Sequence, residues 1–112
     1  MAKDAKSAWN SPVARRLRQL RRAEGFGASQ TAFAAKIGWL QSELSMFENG
    51  TRPPPAMKIL GLHKAIPGFD PLWLTEGRQE GLSHDLRQRL EANYMDPAQE
   101  QPAPAKRAQS RR

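Results

Sequence analysis

Apolar side chains along this chain recur mostly at intervals of three and four residues, the spacing that places them on one face of an α-helix. Ser11-Pro12 predicts the start of the first helix, because serine caps helix N-termini and proline fits the first helical position. Val13, Leu17 and Leu20 form its apolar stripe, and Gly25-Phe26-Gly27 ends it. We find no internal repeat and no clear strand, so the pattern predicts an all-α chain.

The same spacing predicts five further helices, with the stiff proline segment 51–55 between the third and the fourth. Their apolar positions, in chain order, are Phe33, Ala34 and Ile37 after the cap Ser29; Leu44 and Phe47 within 41–48; Met57, Ile59, Leu60 and Leu62 within 56–65; Leu72, Trp73 and Leu74 after the cap Asp70; and Leu82, Leu86, Leu90 and Tyr94 around the cap Ser83.

Residues 30–50 have the spacing of two short helices that cross closely and are joined by a tight turn. Gly38 supplies the turn, because glycine tolerates positive φ. Ala34, four residues earlier, is small enough for the crossing point, and Leu44 fixes the inner face of the second helix. This arrangement is typical of a helix-turn-helix, and it makes DNA binding the leading hypothesis.

The net charge of +7 is concentrated at the two ends of the chain. Residues 1–24 carry seven basic and two acidic side chains, residues 96–112 carry four and two, and the residues between them balance. Basic flanks around a neutral centre favour a polyanionic partner, although basic tails can also serve solubility alone. We predict a flexible N-terminal arm at residues 1–10 and a disordered basic tail at 96–112, which has no aliphatic side chain larger than alanine.

Composition also excludes several classes of protein. The chain has no cysteine, no secretory signal pattern and no apolar run near the roughly 18 residues that span a bilayer, so we expect a cytoplasmic protein without a membrane partner. His63 and His84 lack ligand partners at metal spacing, and no catalytic set or glycine-rich phosphate loop is visible. We therefore expect no enzymatic activity, no cofactor and no metal site.

Residues 13–77 resemble the phage repressor and Cro type of helix-turn-helix domain, also called the xenobiotic-response-element family. The resemblance implies a compact bundle of five helices over residues 11–77, which acts as a dimer on pseudo-palindromic operators. The chain differs from the family pattern in three places. The loop 25–28 is longer than in the family, Leu40 stands where a Ser or Thr usually caps the recognition helix, and that helix lacks Arg and Lys. The matching residues are Arg16-Leu17-Arg18-Gln19-Leu20-Arg21, Ser29-Gln30, Ala34, Gly38, Gln41-Ser42, Ser45, Glu48-Asn49-Gly50, Arg52-Pro53 and Leu72-Trp73-Leu74-Thr75-Glu76-Gly77.

Helix 41–48 is therefore expected to enter the major groove of double-stranded DNA. Outward spacing and side-chain chemistry make Gln41, Ser42, Glu43 and Ser45 the candidates for base contacts, and a plain surface charge is an equal interpretation of Glu43. The candidates for phosphate contacts are Gln30, Asn49, Arg52 and Arg18. The resemblance further implies that Gln30 braces Gln41 and that Arg21 and Glu48 form an ion pair between helices one and three.

The function predicted from these observations is a sequence-specific transcriptional regulator, namely a repressor that binds a pseudo-palindromic operator as a homodimer. Two alternatives stay open. One is an antitoxin or adaptor that binds a protein partner through the stripe Leu82, Leu86, Leu90 and Tyr94 of the C-terminal helix, residues 82–95, which could equally dimerise or pack on the domain. The other is nonspecific nucleoid or RNA binding through the basic tails.

Overall fold

A computed structural model of the protein describes residue 9 and residues 11–95, and these contain helices and no strands. The helices are α1 (Pro12–Ala23), α2 (Gln30–Ile37), α3 (Gln41–Glu48), α4 (Ala56–Ala65), α5 (Pro71–Glu76) and α6 (His84–Ala92). Each lies in a segment expected from apolar spacing, and the all-α prediction is confirmed. The C-terminal helix is shorter than the expected 82–95, because Ser83 caps its start and Asn93 its end. The predictions for the N-terminal arm and the basic tail lie outside the described residues, apart from Trp9.

Short polar side chains begin four of the helices. Ser11, Ser29, Asp70 and Ser83 each accept a hydrogen bond from a backbone N–H in the first turn of the following helix. The first turn of a helix leaves these N–H groups without a partner inside the helix, so each cap satisfies one of them. Proline at the start of α1 and of α5 has no N–H to satisfy.

Helix α1 lies at the centre of the bundle, between α3 on one side and α5 and α6 on the other. Leu17 and Leu20 of α1 are fully buried and belong to a core that also contains Phe33, Leu44 and Leu74. Because one helix contributes to both sides of the core, its side chains divide into a set that faces α3 and a set that faces α5 and α6.

Helix α4 buries only part of its apolar surface. Ile59 and Leu62 are in the core, whereas Met57 and Leu60 are exposed. The four apolar residues of this helix cover more than one face, and the bundle packs against one face only.

The turn between α2 and α3 follows the expected geometry. Gly38 has a φ of +78°, and the N–H of Trp39 donates to the carbonyl of Ala34 at 2.9 Å, which closes the end of α2. Ala34 is buried at the helix crossing, and Trp39 packs edge-on against Phe47 with ring centroids 5.4 Å apart. These contacts hold α3 at a defined angle to α2.

The stripe on the C-terminal helix packs on the rest of the domain. Leu82, Leu86 and Leu90 are buried in the common core, while Tyr94 is exposed. Of the interpretations left open for this helix, packing accounts for these three leucines, which leaves them unavailable to a partner in this conformation. None of the described helices is long and apolar enough to cross a membrane.

Candidate DNA interface

A chain of side-chain hydrogen bonds connects the centre of the bundle to the start of α3. Arg21 Nε lies 2.9 Å from Glu48 Oε2, which places the expected ion pair between α1 and α3. Glu48 Oε1 accepts from Gln30 Nε2 at 2.9 Å, and Gln30 Oε1 accepts from Gln41 Nε2 at 3.0 Å. Arg21 also donates to the carbonyl of Gly27, so the same guanidinium ties the loop before α2 to this network.

The network orients Gln41 toward solvent. Glu48 is 0% exposed and Arg21 is 9% exposed, whereas Gln41 and its neighbour Ser42 are exposed at the first turn of α3. A buried charge pair that satisfies its hydrogen bonds has one preferred geometry, and each link passes that geometry outward. The exposed amide of Gln41 is therefore linked through Gln30 to the buried ion pair.

Glu43 is occupied by contacts within the protein. One of its carboxylate oxygens, Oε1, accepts from the backbone N–H of Leu40 at 3.1 Å and lies 3.1 Å from Lys58 Nζ. The hydrogen bond from Leu40 is the main cause that lowers the pKa of Glu43, with the Lys58 contact adding to it. The side chain of Leu40 has no oxygen with which to cap α3, so the Glu43 side chain supplies half of a capping box instead. This arrangement favours a structural role for Glu43 over a base contact.

The C-terminal end of α3 is closed by a second glycine. Gly50 has a φ of +77°, and the N–H of Thr51 donates to the carbonyl of Met46 at 3.1 Å. Asn49 and Arg52 are exposed beside this turn, and Asn49 Nδ2 lies 3.5 Å from the hydroxyl of the half-buried Ser45. The two candidate phosphate contacts thus flank the end of the helix whose start carries Gln41.

Arg18 is placed differently from our expectation of a phosphate contact. Its side chain is 1% exposed, and its Nη1 donates to the carbonyl of Glu48 at 2.6 Å and to that of Trp9 at 2.9 Å. The guanidinium also stacks on the Trp9 ring, with Cζ 3.5 Å from the ring centroid. A side chain enclosed in this way cannot reach DNA in this conformation, so we remove Arg18 from the phosphate contacts.

Helical spacing contained a signal for the burial of Arg18. Ala14, Leu17, Arg18 and Arg21 are among the buried residues of α1, and they follow the i, i+3, i+4, i+7 pattern. The arginine-rich composition of α1 had obscured this pattern. The roles of Trp9 and Lys58 had no comparable signal, because both depend on residues far away in the chain.

The comparison with known families agrees with this geometry. A family model described as a helix-turn-helix domain matches residues 12–66, which include α1 to α4. The chain carries a helix-turn-helix domain. Domains of this kind are found in DNA-binding regulators of the xenobiotic-response-element type. Neither a curated protein nor a solved structure matches the chain.

Within the helix-turn-helix domain, α2 and α3 are the two helices joined by the Gly38 turn. The domain indicates a DNA-binding regulator.

Proposed function

We propose that this protein is a sequence-specific transcriptional repressor that binds a pseudo-palindromic operator as a homodimer, with α3 in the major groove. The observation that carries the proposal is the braced, exposed Gln41 at the start of α3, held through Gln30 and Glu48 to Arg21. A surface glutamine without a role in recognition has no need of a buried ion pair to orient it.

The hydrogen bonds of Gln41 leave it suited to read adenine. One N–H of its amide donates to Gln30, which leaves the second N–H and the carbonyl oxygen for a base edge. Glutamine pairs with adenine by donating to N7 and accepting from N6, so one partner on each side of the amide can be satisfied at once. Ser42, exposed beside it, is the second proposed base contact, and Ser45 is a third at the half-buried next turn.

The proposed phosphate contacts lie around these proposed base contacts. Arg52 and Asn49 lie exposed beyond the end of α3, and Gln30 presents its backbone N–H at the first turn of α2, where the helix dipole favours an anion. Phosphate contacts position a protein on DNA, while base contacts select the sequence. The homodimer would place its two copies of α3 in successive major grooves, about 34–36 Å apart.

Selection from random duplex DNA at near-physiological salt tests this proposal. We expect a palindromic consensus whose half-sites are about one helical turn apart. A pool that shows no enrichment, while the protein still binds DNA in bulk, would contradict sequence-specific recognition and favour nonspecific binding through the basic tails.

Two pairs of variants separate the base reader from the phosphate contacts. Gln41→Ala should relax the preference at one base position by about 1–3 kcal/mol, whereas Gln88→Ala, an exposed glutamine on α6, should leave the consensus unchanged. Arg52→Gln should weaken binding to all sequences alike and reduce the salt slope by about one unit, which Lys64→Gln on α4 should not do. If Gln41→Ala and Arg52→Gln have the same effect on cognate and scrambled DNA, this division of roles is wrong.

A further inference from the structure

A basic cavity lies on the side of α1 that faces α5 and α6. Its volume is about 280 Å³, and its lining includes Arg15, Arg16 and Arg22 from α1, together with Trp73 and Tyr94. No Asp or Glu is among the described residues that line it. Arg21, which binds Glu48 toward α3, belongs to the inward face of the same helix, so the cavity is separate from the DNA interface.

Arg16 forms one wall of the cavity and is fixed by the end of α5. Its Nη1 donates to the carbonyl of Leu74 at 3.0 Å, near the C-terminal end of that helix. Gly77 lets the guanidinium lie there, since a Cβ on this residue would come within 2.7 Å of Arg16 Nη2. Burial lowers the pKa of Arg16, and the neighbouring charge of Arg15 lowers it further. The two cations therefore repel each other.

The side chain of Arg15 makes one hydrogen bond among the residues that the structure describes. Its Nη2 donates to the hydroxyl of Tyr94 at 3.5 Å, the outer limit for a hydrogen bond. Its Nε is buried and has no partner among the described residues, and no described carboxylate forms a salt bridge with Arg15 or Arg16. A guanidinium has five N–H donors and no acceptor, so an anion is the partner that would satisfy it.

The remaining walls are held by α6 and by apolar side chains. Gln19 Nε2 donates to the carbonyl of Leu90 at 2.6 Å, and Arg22 Nη2 donates to the carbonyl of Asn93 at 3.3 Å. Trp73, which is 4% exposed, contributes an apolar wall. The lining thus combines arginine and apolar side chains, and the volume lies just below the range of about 300–1,000 Å³ that is usual for small-molecule sites.

We propose that this cavity binds a free small-molecule oxyanion, a phosphate or carboxylate group carried on a small body, with Arg15 as its principal ligand. Arginine binds both groups through two parallel N–H···O bonds, and the anion offsets the repulsion between Arg15 and Arg16. The proposal is independent of the DNA-binding function, because it concerns another surface and its test measures binding of the anion directly.

Calorimetric titration of the full chain tests the proposal, once with inorganic phosphate and separately with succinate. Both titrations are made at constant ionic strength, with chloride as the reference anion. We expect at least one of the two anions to bind, and its contact to shift the Nε–H resonance of Arg15. Arg15→Gln should weaken that binding roughly ten- to a hundred-fold, the effect of one charged hydrogen bond. Arg15→Lys, which keeps the charge and loses the paired donors, should fall between wild type and Arg15→Gln.

Lys64→Gln removes one positive charge outside the cavity and is the matched control. It should bind the anion as wild type does. Absence of binding by both anions at millimolar concentration overturns the proposal, as does equal binding by wild type and both Arg15 variants. A third outcome identifies DNA as the source of the phosphate: if Arg15→Gln lowers DNA affinity and its salt slope as Arg52→Gln does, in the absence of added anions, the small-molecule assignment is wrong.

Discussion

Replacing Glu48 by glutamine tests the ion pair between α1 and α3. The carboxylate is 0% exposed and accepts from Arg21 Nε at 3.2 Å and 2.9 Å through its two oxygens, and from Gln30 Nε2 at 2.9 Å. Glutamine keeps the shape of the side chain, so the substitution opens no cavity. Its amide, however, has one acceptor oxygen where the carboxylate has two, and its NH₂ must face the donors of Arg21 or Gln30.

The expected loss of stability follows from these contacts. A hydrogen bond to a charged group contributes about 1.5–3 kcal/mol, and breaking a buried ion pair by removing one partner costs about 3–5 kcal/mol, because the other charge stays buried. Arg21 is 9% exposed and keeps the Gly27 carbonyl as an acceptor. We therefore expect Glu48→Gln to lower the free energy of unfolding by about 3 kcal/mol, which for a domain of this size lowers Tm by roughly 10–20 °C.

Thermal and urea unfolding of Glu48→Gln, with Glu76→Gln as the matched control, measure this change. Glu76 is exposed and its nearest described cation, Arg78, lies 3.9 Å away, so its variant should stay within about 0.5 kcal/mol of wild type. The double variant Arg21→Met with Glu48→Gln should lose less than the sum of the single losses, because no charge is left buried. A loss below about 1 kcal/mol for Glu48→Gln would refute the assigned role of the pair.

Three further predictions concern separate parts of the domain. Gly38→Ala should destabilise the protein by about 1–2 kcal/mol in urea unfolding, because its φ is +78° and backbone strain is the whole cost. Gly61→Ala inside α4 should stabilise it by up to about 1 kcal/mol. Equal effects of the two substitutions would contradict this reasoning. The pKa of Glu43 is lowered in the folded state. The stability difference between wild type and Glu43→Gln should therefore be fully present above about pH 5 and shrink as the pH falls through that pKa. A difference that does not depend on pH would contradict the contacts of Glu43 with Leu40 and Lys58. Leu86→Ala should cost about 2–5 kcal/mol without changing the molecular mass measured by light scattering, and a change of mass with unaltered stability would instead assign α6 to an interface.

Helix positions were accessible from the sequence because their causes are local. A cap, a proline at the first position or a glycine at a turn acts within four residues, as at Ser11-Pro12 and Gly38. The exposure of Gln41 and Ser42 followed from the same local spacing. The ion pair of Arg21 with Glu48 was accessible by resemblance, since its two residues are 27 positions apart and no local pattern joins them.

Other features could not be obtained in this way. The sequence shows that Leu40 has no capping side chain. The contacts that Glu43 makes with the Leu40 N–H and with Lys58 depend on where α4 lies. The Leu82–Leu90 stripe allowed three uses, and only the position of α6 against α1 selects packing. The cavity with Arg15 is formed by α1, α5 and the end of the described chain, which no single segment reveals.

The sequence by itself determined the number and approximate positions of the helices and the helix-turn-helix spacing, because each arises from contacts within a few residues. The tertiary structure decided which partners Arg15 and Arg18 of α1 contact. Arg18 is buried against Glu48 and Trp9 and Arg15 lines a cavity, whereas Arg21 forms the ion pair with Glu48 that the resemblance already implied. The side chains are chemically identical, and their roles differ because one central helix presents them to different neighbours.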